Sequence, residues 1–126
     1  MKQKIILNDV SEIIDDFKKI IPTLENKSIL ITGGRGFLGT YFLKTFVEIN
    51  NQLINPMKIY VIDNLVTSKD NDTKYPNVKF IESDISKKIE IKESINYIIH
   101  SASIASPLIY RKFPLKTIDV NYQGTR

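Results

Sequence analysis

Apolar residues follow two rhythms along this chain, short unbroken runs and helical spacings, and their alternation predicts a parallel α/β sheet. Between residues 9 and 21, Val10, Ile13, Ile14, Phe17, Ile20 and Ile21 fall at helical spacing, with Asp9 or Ser11 placed to cap the start. Pro22 is expected to end this helix, because proline disfavours the helical conformation in the residue before it. Leu24 to Lys27 read as a connector. Ser28-Ile29-Leu30-Ile31-Thr32 is a short apolar run of the kind a buried parallel strand needs. A glycine loop follows, then Phe37, Leu38, Phe42, Leu43, Phe46 and Val47 at helical spacing as far as about Ile49, with Asn50-Asn51 at the end.

Met57 to Ile62 is a second strand, ending at Asp63. Residues 64 to 77 are polar and read as a loop with at most one helical turn. Val78 to Ile81 is a third strand, and Ser94 to Ser101 a fourth. Between them, Ser86 to Glu93 fits either a weak helix or an irregular crossover. Pro107 to Arg126 is mostly helical, with Pro114 as the first-turn proline of its main segment. Strands and helices in this order imply right-handed crossovers and ligand binding at the carboxyl ends of the strands. The fold class is therefore a Rossmann-type α/β sheet of about four strands. Residues 1 to 26 form an N-terminal helical extension, and residues 27 to 126 carry the sheet.

Composition changes this picture little. At 126 residues, 42% hydrophobic and 25% charged, the chain has the makeup of one globular domain. It has no cysteine, which excludes disulfides and Cys-based metal sites, and no metal is expected. The opening Met1-Lys2-Gln3-Lys4 precedes only three apolar residues, too few for a signal-peptide core or a membrane span. A cytoplasmic location is expected. Net charge is +4, but the lysines are scattered and no basic run carries interleaved aromatics, so no nucleic-acid partner is expected. A positive field favours an anionic ligand such as a dinucleotide.

The chemistry concentrates in Gly33-Gly34-Arg35-Gly36-Phe37-Leu38-Gly39. Gly33, Gly36 and Gly39 are three apart, between a predicted strand and a predicted helix. In such a loop one glycine permits the tight turn, a second admits a pyrophosphate, and a third lets the helix pack on the sheet. The amides from about Gly36 to Leu38 then face the phosphates at the positive end of the helix. Asp63, at the second strand's end, is placed to accept the ribose hydroxyls, and its charge repels a 2′-phosphate, so the expected cofactor is NAD. Arg35 lies in the loop as a phosphate-binding alternative that would favour NADP. Asp84, after the third strand, is placed either to accept a bond from an adenine amino group or to cap locally.

Ile29 to Gly39 resembles the opening of the extended short-chain dehydrogenase/reductases, and more narrowly the NAD-dependent epimerase/dehydratase family acting on nucleotide sugars. Val61-Ile62-Asp63-Asn64, Ser83-Asp84-Ile85, His100-Ser101-Ala102-Ser103 and Asn121-Tyr122-Gln123-Gly124-Thr125 resemble that family's later motifs. Residues 100 to 107, with Tyr110, Pro114 and Lys116-Thr117-Ile118, are similar to UDP-glucuronate decarboxylases. Ile104 and Phe113 depart from that pattern, and 4,6-dehydratases and 4-epimerases stay open. The resemblance covers about residues 27 to 126.

It implies pyrophosphate contacts from Gly33, Gly36, Phe37 and Leu38, with Gly39 completing the loop. It implies ribose contacts from Asp63 and Asn64, and adenine contacts from Asp84 and Ile85. Ala102 and Ser103 flank the nicotinamide side. Ser106 and Pro107 begin a sugar-facing wall, and Lys116 lies near cofactor or substrate. Asn121 ties its helix to a neighbouring strand. His100, the single histidine, is read as structural.

The family's chemistry uses Tyr-x-x-x-Lys, in which the lysine eases tyrosine deprotonation. Tyr110 and Tyr122 have Pro114 and Arg126 four positions on. Only Tyr75 has a lysine there, Lys79, and it enters the third strand at the wrong end of that element. No residue of this chain is therefore read as catalytic. The chain is expected to be the front part of such an enzyme, or a stand-alone NAD-binding module. The substrate of the complete enzyme would be a nucleotide sugar, and no membrane partner is expected. An exposed sheet edge predicts self-association or pairing with a partner.

Overall fold

A computed structural model describes residues 2–66 and 74–126, with side chains from residue 6 onward. Helix α1 (Lys2–Phe17) leads through a 3-10 turn (Ile21–Leu24) into β1 (Ser28–Thr32). Then come α2 (Phe37–Asn50), β2 (Lys58–Asp63), β3 (Val78–Glu82), β4 (Tyr97–His100), α3 (Pro107–Lys112) and α4 (Pro114–Tyr122). The four strands form one parallel sheet in the order β3-β2-β1-β4. The chain runs outward from β1 to β3 and then returns to β4 on the other side of β1. That reversal opens a crevice at the carboxyl ends of the inner strands.

Alternation along the inner strands buries both faces. Ile29 and Ile31 of β1, with Ile59 and Val61 of β2, point to one side. There Val10 and Ile14 of α1, Ile21 and Leu24, and Leu43, Phe46 and Ile49 of α2 cover them. Leu30, Tyr60 and Ile62 point to the other side, against Ile81, Ile85, Ile89, Ile91 and Ile95. The first 26 residues thus share the core of the sheet. The Tyr41 hydroxyl donates to Asp9 at 2.9 Å, joining α2 to α1. That bond, with partial desolvation and the charge of Asp9 adding to it, holds the Tyr41 phenol above its ordinary value.

The helix expected at residues 9–21 starts earlier and ends sooner, at Lys2 and Phe17. Pro22 does not terminate it. A turn in which Ile20 N–H donates to the Phe17 carbonyl closes the helix first, and Pro22 sits in the opening of the 3-10 turn, where a missing N–H costs nothing. Of the two readings for Ser86 to Glu93, the structure takes the irregular crossover. The fourth strand is shorter than expected because Asn96 replaces the ladder at its start: Ser28 N–H donates to the Asn96 side chain, and Asn96 N–H donates to the Ser28 carbonyl, each at 2.9 Å. The last helical stretch is broken at Phe113, whose φ of −131° and ψ of 62° separate α3 from α4. The loop expected at 64–77 falls partly, at 67–73, outside the described residues. Among the described residues no helix is long and apolar enough to cross a membrane.

Asn50 closes α2 and is buried. Its amide donates to the Met57 carbonyl at 3.0 Å and its carbonyl accepts the Met57 N–H at 2.8 Å, which fixes where β2 begins. Asn50→Leu would leave both backbone groups unpaired. At about 1–3 kcal/mol for an unpaired buried group, we expect a loss of about 3 kcal/mol in urea denaturation, with an unchanged slope.

Candidate functional site

The glycine loop turns sharply because Gly33 takes a φ of 67°, in the left-handed region that L side chains rarely adopt. Gly33 also lies against the chain leaving β4: a Cβ added there would sit 2.6 Å from Ala102 Cα. Gly39, in the first turn of α2, packs against the Gly33 carbonyl with no room for a side chain. Gly36 is the N-cap of α2, in extended conformation and without a side-chain cap. The first amides of α2, from Phe37 on, therefore have no upstream carbonyl to bond within the helix.

Two residues at the end of β2 fold the next segment back toward this loop. Asp63 accepts the Arg35 N–H at 2.8 Å through one carboxylate oxygen and the Leu65 N–H at 2.9 Å through the other. The Asn64 side chain accepts the Val66 N–H at 3.2 Å. These paired side-chain turns support Leu65 at a φ of 58°. At the end of β4, Ser101 donates to the Thr32 carbonyl through both its N–H (3.1 Å) and its hydroxyl (2.6 Å).

One cleft results, at the carboxyl ends of β1, β2 and β4. Gly33, Gly36, Asp63, Asn64, Ile85, Ala102 and Ser103 line it together, seven of the residues singled out in the sequence. Ile62, Val66, Ser83, Ser101, Ile104 and Val120 line it as well; Ile62, Ser83, Ser101 and Ile104 stand in the motifs quoted above without a role of their own, and Val66 and Val120 had not been anticipated. Ile104 and Val120 are buried apolar residues that sequence reading assigns to the core by default. The cleft is an open trough. Its volume of about 60 Å³ is well below the 300–1,000 Å³ typical of enclosed ligand pockets, so an occupant as long as a dinucleotide would keep one side in solvent.

The other residues fall outside this lining. Phe37 and Leu38 turn exposed side chains into an apolar notch with Ile13, Tyr41, Phe42 and Thr45, so only their backbone is at the loop. Arg35 stacks its guanidinium on Phe80, 4.2 Å from the ring centroid, and lines a neighbouring cavity with Asp63 and Glu82. Asp84 accepts from the Ser86 N–H (3.0 Å) and hydroxyl (2.7 Å), the local capping arrangement. The Ser86 hydroxyl holds the Asp84 carboxyl below the usual range. Desolvation works against this, and the Ser86 amide and the charges of Lys116 and Lys87 add to it. Ser106 and Pro107 begin α3, and Lys116 lies on the exposed side of α4.

Asn121 does not tie α4 to a strand through its side chain, which bonds back to the Thr117 carbonyl of its own helix. Thr125 makes that tie instead, with its hydroxyl 3.2 Å from His100. Tyr75 packs into the core near the start of β3, opposite the cleft, and Lys79 pairs with Glu93 at 3.0 Å. The two do not form a working pair.

A sequence model of the 3-beta hydroxysteroid dehydrogenase/isomerase family matches residues 30–126. Among curated proteins, UDP-glucuronic acid decarboxylase 5 of Arabidopsis thaliana is 36% identical over 104 residues, covering 79% of this chain and 28% of that protein. UDP-glucuronic acid decarboxylase 1 of Danio rerio is 30% identical over 111 residues, covering 85% of this chain and 25% of that protein. The chain thus spans little more than a quarter of the length of these relatives. Among solved structures, an epimerase from Methanothermobacter thermautotrophicus superposes with a TM-score of 0.71 at 25% identity, over 84% of this chain and 31% of that one. The dTDP-glucose 4,6-dehydratase of Streptomyces venezuelae, solved with NAD bound, shares the fold with a TM-score of 0.61 at 20% identity, over 78% and 33%. The resemblance to epimerase/dehydratase enzymes and the Rossmann-like architecture are both borne out.

Two outcomes test this geometry. Gly33→Ala, with its strained φ and its Cβ against Ala102, is expected to lower the thermal midpoint by several degrees, whereas Gly34→Ala presses only on the Val61 side chain and should cost less. Ser86→Ala should raise the Asp84 carboxyl toward its ordinary value in an NMR pH titration. The depressed Asp84 contributes stability above its unfolded value and loses it as pH falls through the folded one, so Ser86→Ala should narrow the stability difference between neutral and acid pH.

Proposed function

This chain belongs to the 3-beta hydroxysteroid dehydrogenase/isomerase family, and on that premise we propose that it holds NAD for a nucleotide-sugar-modifying enzyme, with UDP-glucuronate as the favoured substrate class. One observation carries the reading: a single cleft at the strand ends gathers the glycine turn, Asp63 and the Ala102–Ser103 wall. The pyrophosphate lies at Gly33 and Gly36 against the amides of Phe37 and Leu38, where the helix dipole favours anions, and Gly39 keeps that helix close. The adenosine ribose meets Asp63 and Asn64, and the adenine rests on Ile85 beside Asp84. Ala102 and Ser103 face the nicotinamide half. Ser106, Pro107 and Lys116 lie toward the sugar. When bound, NAD supplies the hydride acceptor that oxidises the sugar at C4 before decarboxylation. The decarboxylases among the relatives favour that outcome over 4,6-dehydration or 4-epimerisation.

A second reading, a binding module without chemistry of its own, draws on the one Tyr-x-x-x-Lys pair in the chain. Tyr75 is taken up by the core and Lys79 by Glu93, at the end of the sheet away from the cleft. The reading also includes a cytoplasmic location, no nucleic-acid or membrane partner, and self-association through β4. Tyr97 and Ile98 of that edge strand are exposed, Ile98 by 65%.

Calorimetric titration tests the cofactor. The chain is expected to bind NAD saturably and NADP poorly. Asp63→Asn, which keeps the side-chain shape, should weaken NAD by about 1.5–3 kcal/mol, roughly ten- to a hundredfold. Equal affinity for both dinucleotides, or none for either by the folded chain, would sink the proposal. Incubation with NAD and UDP-glucuronate should give no NADH, and NADH formation would remove the second reading. Sedimentation velocity should detect association that Ile98→Lys abolishes.

A further inference from the structure

His100 is held at both ring nitrogens. Nδ1 lies 2.7 Å from the Thr32 hydroxyl and Nε2 lies 3.2 Å from the Thr125 hydroxyl. The hydrogens available set the direction of the Thr125 bond, and the tautomer of the neutral ring then sets that of the Thr32 bond. Thr125 donates its only hydroxyl hydrogen to the Asn121 carbonyl at 2.6 Å, so it accepts from His100, and Nε2 carries the hydrogen. In the neutral ring Nδ1 is then an acceptor. Thr32 already accepts the Ala102 N–H at 3.3 Å, and its one hydrogen goes to Nδ1. The Thr125 end sets the tautomer, and the Thr32 end accommodates it. The bonds form a directed chain: Ala102 N–H to Thr32, Thr32 to His100, His100 to Thr125, Thr125 to the Asn121 carbonyl.

This chain reaches the cleft at one point. The Thr32 hydroxyl touches both His100 and Ala102, and the residue after Thr32 is Gly33, whose turn packs on the Ala102 backbone. Thr125 is at the far end. It lies just past α4, is exposed, and lines with His100, Tyr122 and Gly124 a second cavity that shares Ile62 and Ile85 with the cleft.

We propose that His100 and Thr125 are positioning residues for the cofactor cleft: the relay sets the Ser101–Ala102 wall against the Gly33 turn, so the α4 end governs dinucleotide affinity without touching the dinucleotide. The affinity part rests on the NAD reading above, while the positioning part does not. Because His100 and Thr125 are both open to water, each bond contributes modestly.

The test uses the whole chain labelled with ¹⁵N, in which the single histidine gives one ring signal. Long-range ¹H–¹⁵N spectra should report the Nε2–H tautomer. Thr125→Val should release the ring into exchange between tautomers, shift the Gly33 and Ala102 amide resonances, and weaken NAD roughly two- to fivefold by calorimetry. Thr125→Ser should restore all three, a rescue that simple loss of stability does not predict. A wild-type ring in the Nδ1–H form overturns the relay. Unmoved Gly33 and Ala102 amides in Thr125→Val overturn the positioning role, and unchanged NAD affinity beside shifted amides overturns its reach to the cofactor. Absence of NAD binding by the wild type sinks the cofactor reading and with it the affinity part, and the amide shifts still decide whether the relay positions the wall.

Discussion

Everything at the strand ends depends on three backbone segments that meet without side chains between them. Gly33 leaves β1 in a conformation that L residues avoid, and its backbone lies against Ala102 leaving β4. Gly39 brings the first turn of α2 against the Gly33 carbonyl. A methyl group at Gly33 or Gly39 would push the loop off β4 or lift the helix off the loop. The trough and the uncapped start of α2 face the same space because this crossing is tight. Polar bonds then secure what the glycines permit: Ser101 and the Thr32 hydroxyl hold the wall, and Asp63 holds the loop.

Asp63 has two tasks at one position. Its carboxylate lines the trough, and it also bonds the Arg35 and Leu65 amides, tying the glycine loop to the segment after β2. The residue proposed to select the ribose therefore also shapes the loop proposed to hold the phosphates. Any substitution therefore touches both roles: even the isosteric Asp63→Asn keeps one acceptor oxygen where two backbone amides now bond. Arg35 stacks on Phe80 and lines a neighbouring cavity that shares Asp63 with the trough.

Elements with one dominant local signal were legible. Ser28–Thr32 is bounded as its apolar run implies, and α2 begins at Phe37, directly after the glycine loop. The approximate positions of β2 and β3 followed from their apolar runs, Gly33, Gly36 and Asp63 from motif spacing, and Asn64, Ile85, Ala102 and Ser103 from the family resemblance. What resisted was set by partners distant in the chain. Asn96 shortens β4 through Ser28, 68 positions away, and no local pattern announces that bond. The N-terminal helix was misread because Pro22 was given the terminating role that the turn after Phe17 performs. Asn121 was credited with a tie that Thr125 makes, since a motif gives residue types but not the direction of a side chain. Thr32 passed unremarked as the last residue of a strand, although its hydroxyl joins β1 to both His100 and Ala102.

The central claim is that a dinucleotide lies across this trough with its phosphates at the start of α2 and its adenosine ribose at the end of β2. Mapping backbone amide shifts during an NAD titration tests it most directly. The account predicts that the largest changes fall at Gly33 to Leu38, at Asp63 to Leu65 and at Ala102–Ser103, with little change in α1. Changes concentrated on the α1–α2 notch or on the opposite face of the sheet, or no changes at NAD concentrations that saturate related enzymes, would contradict it.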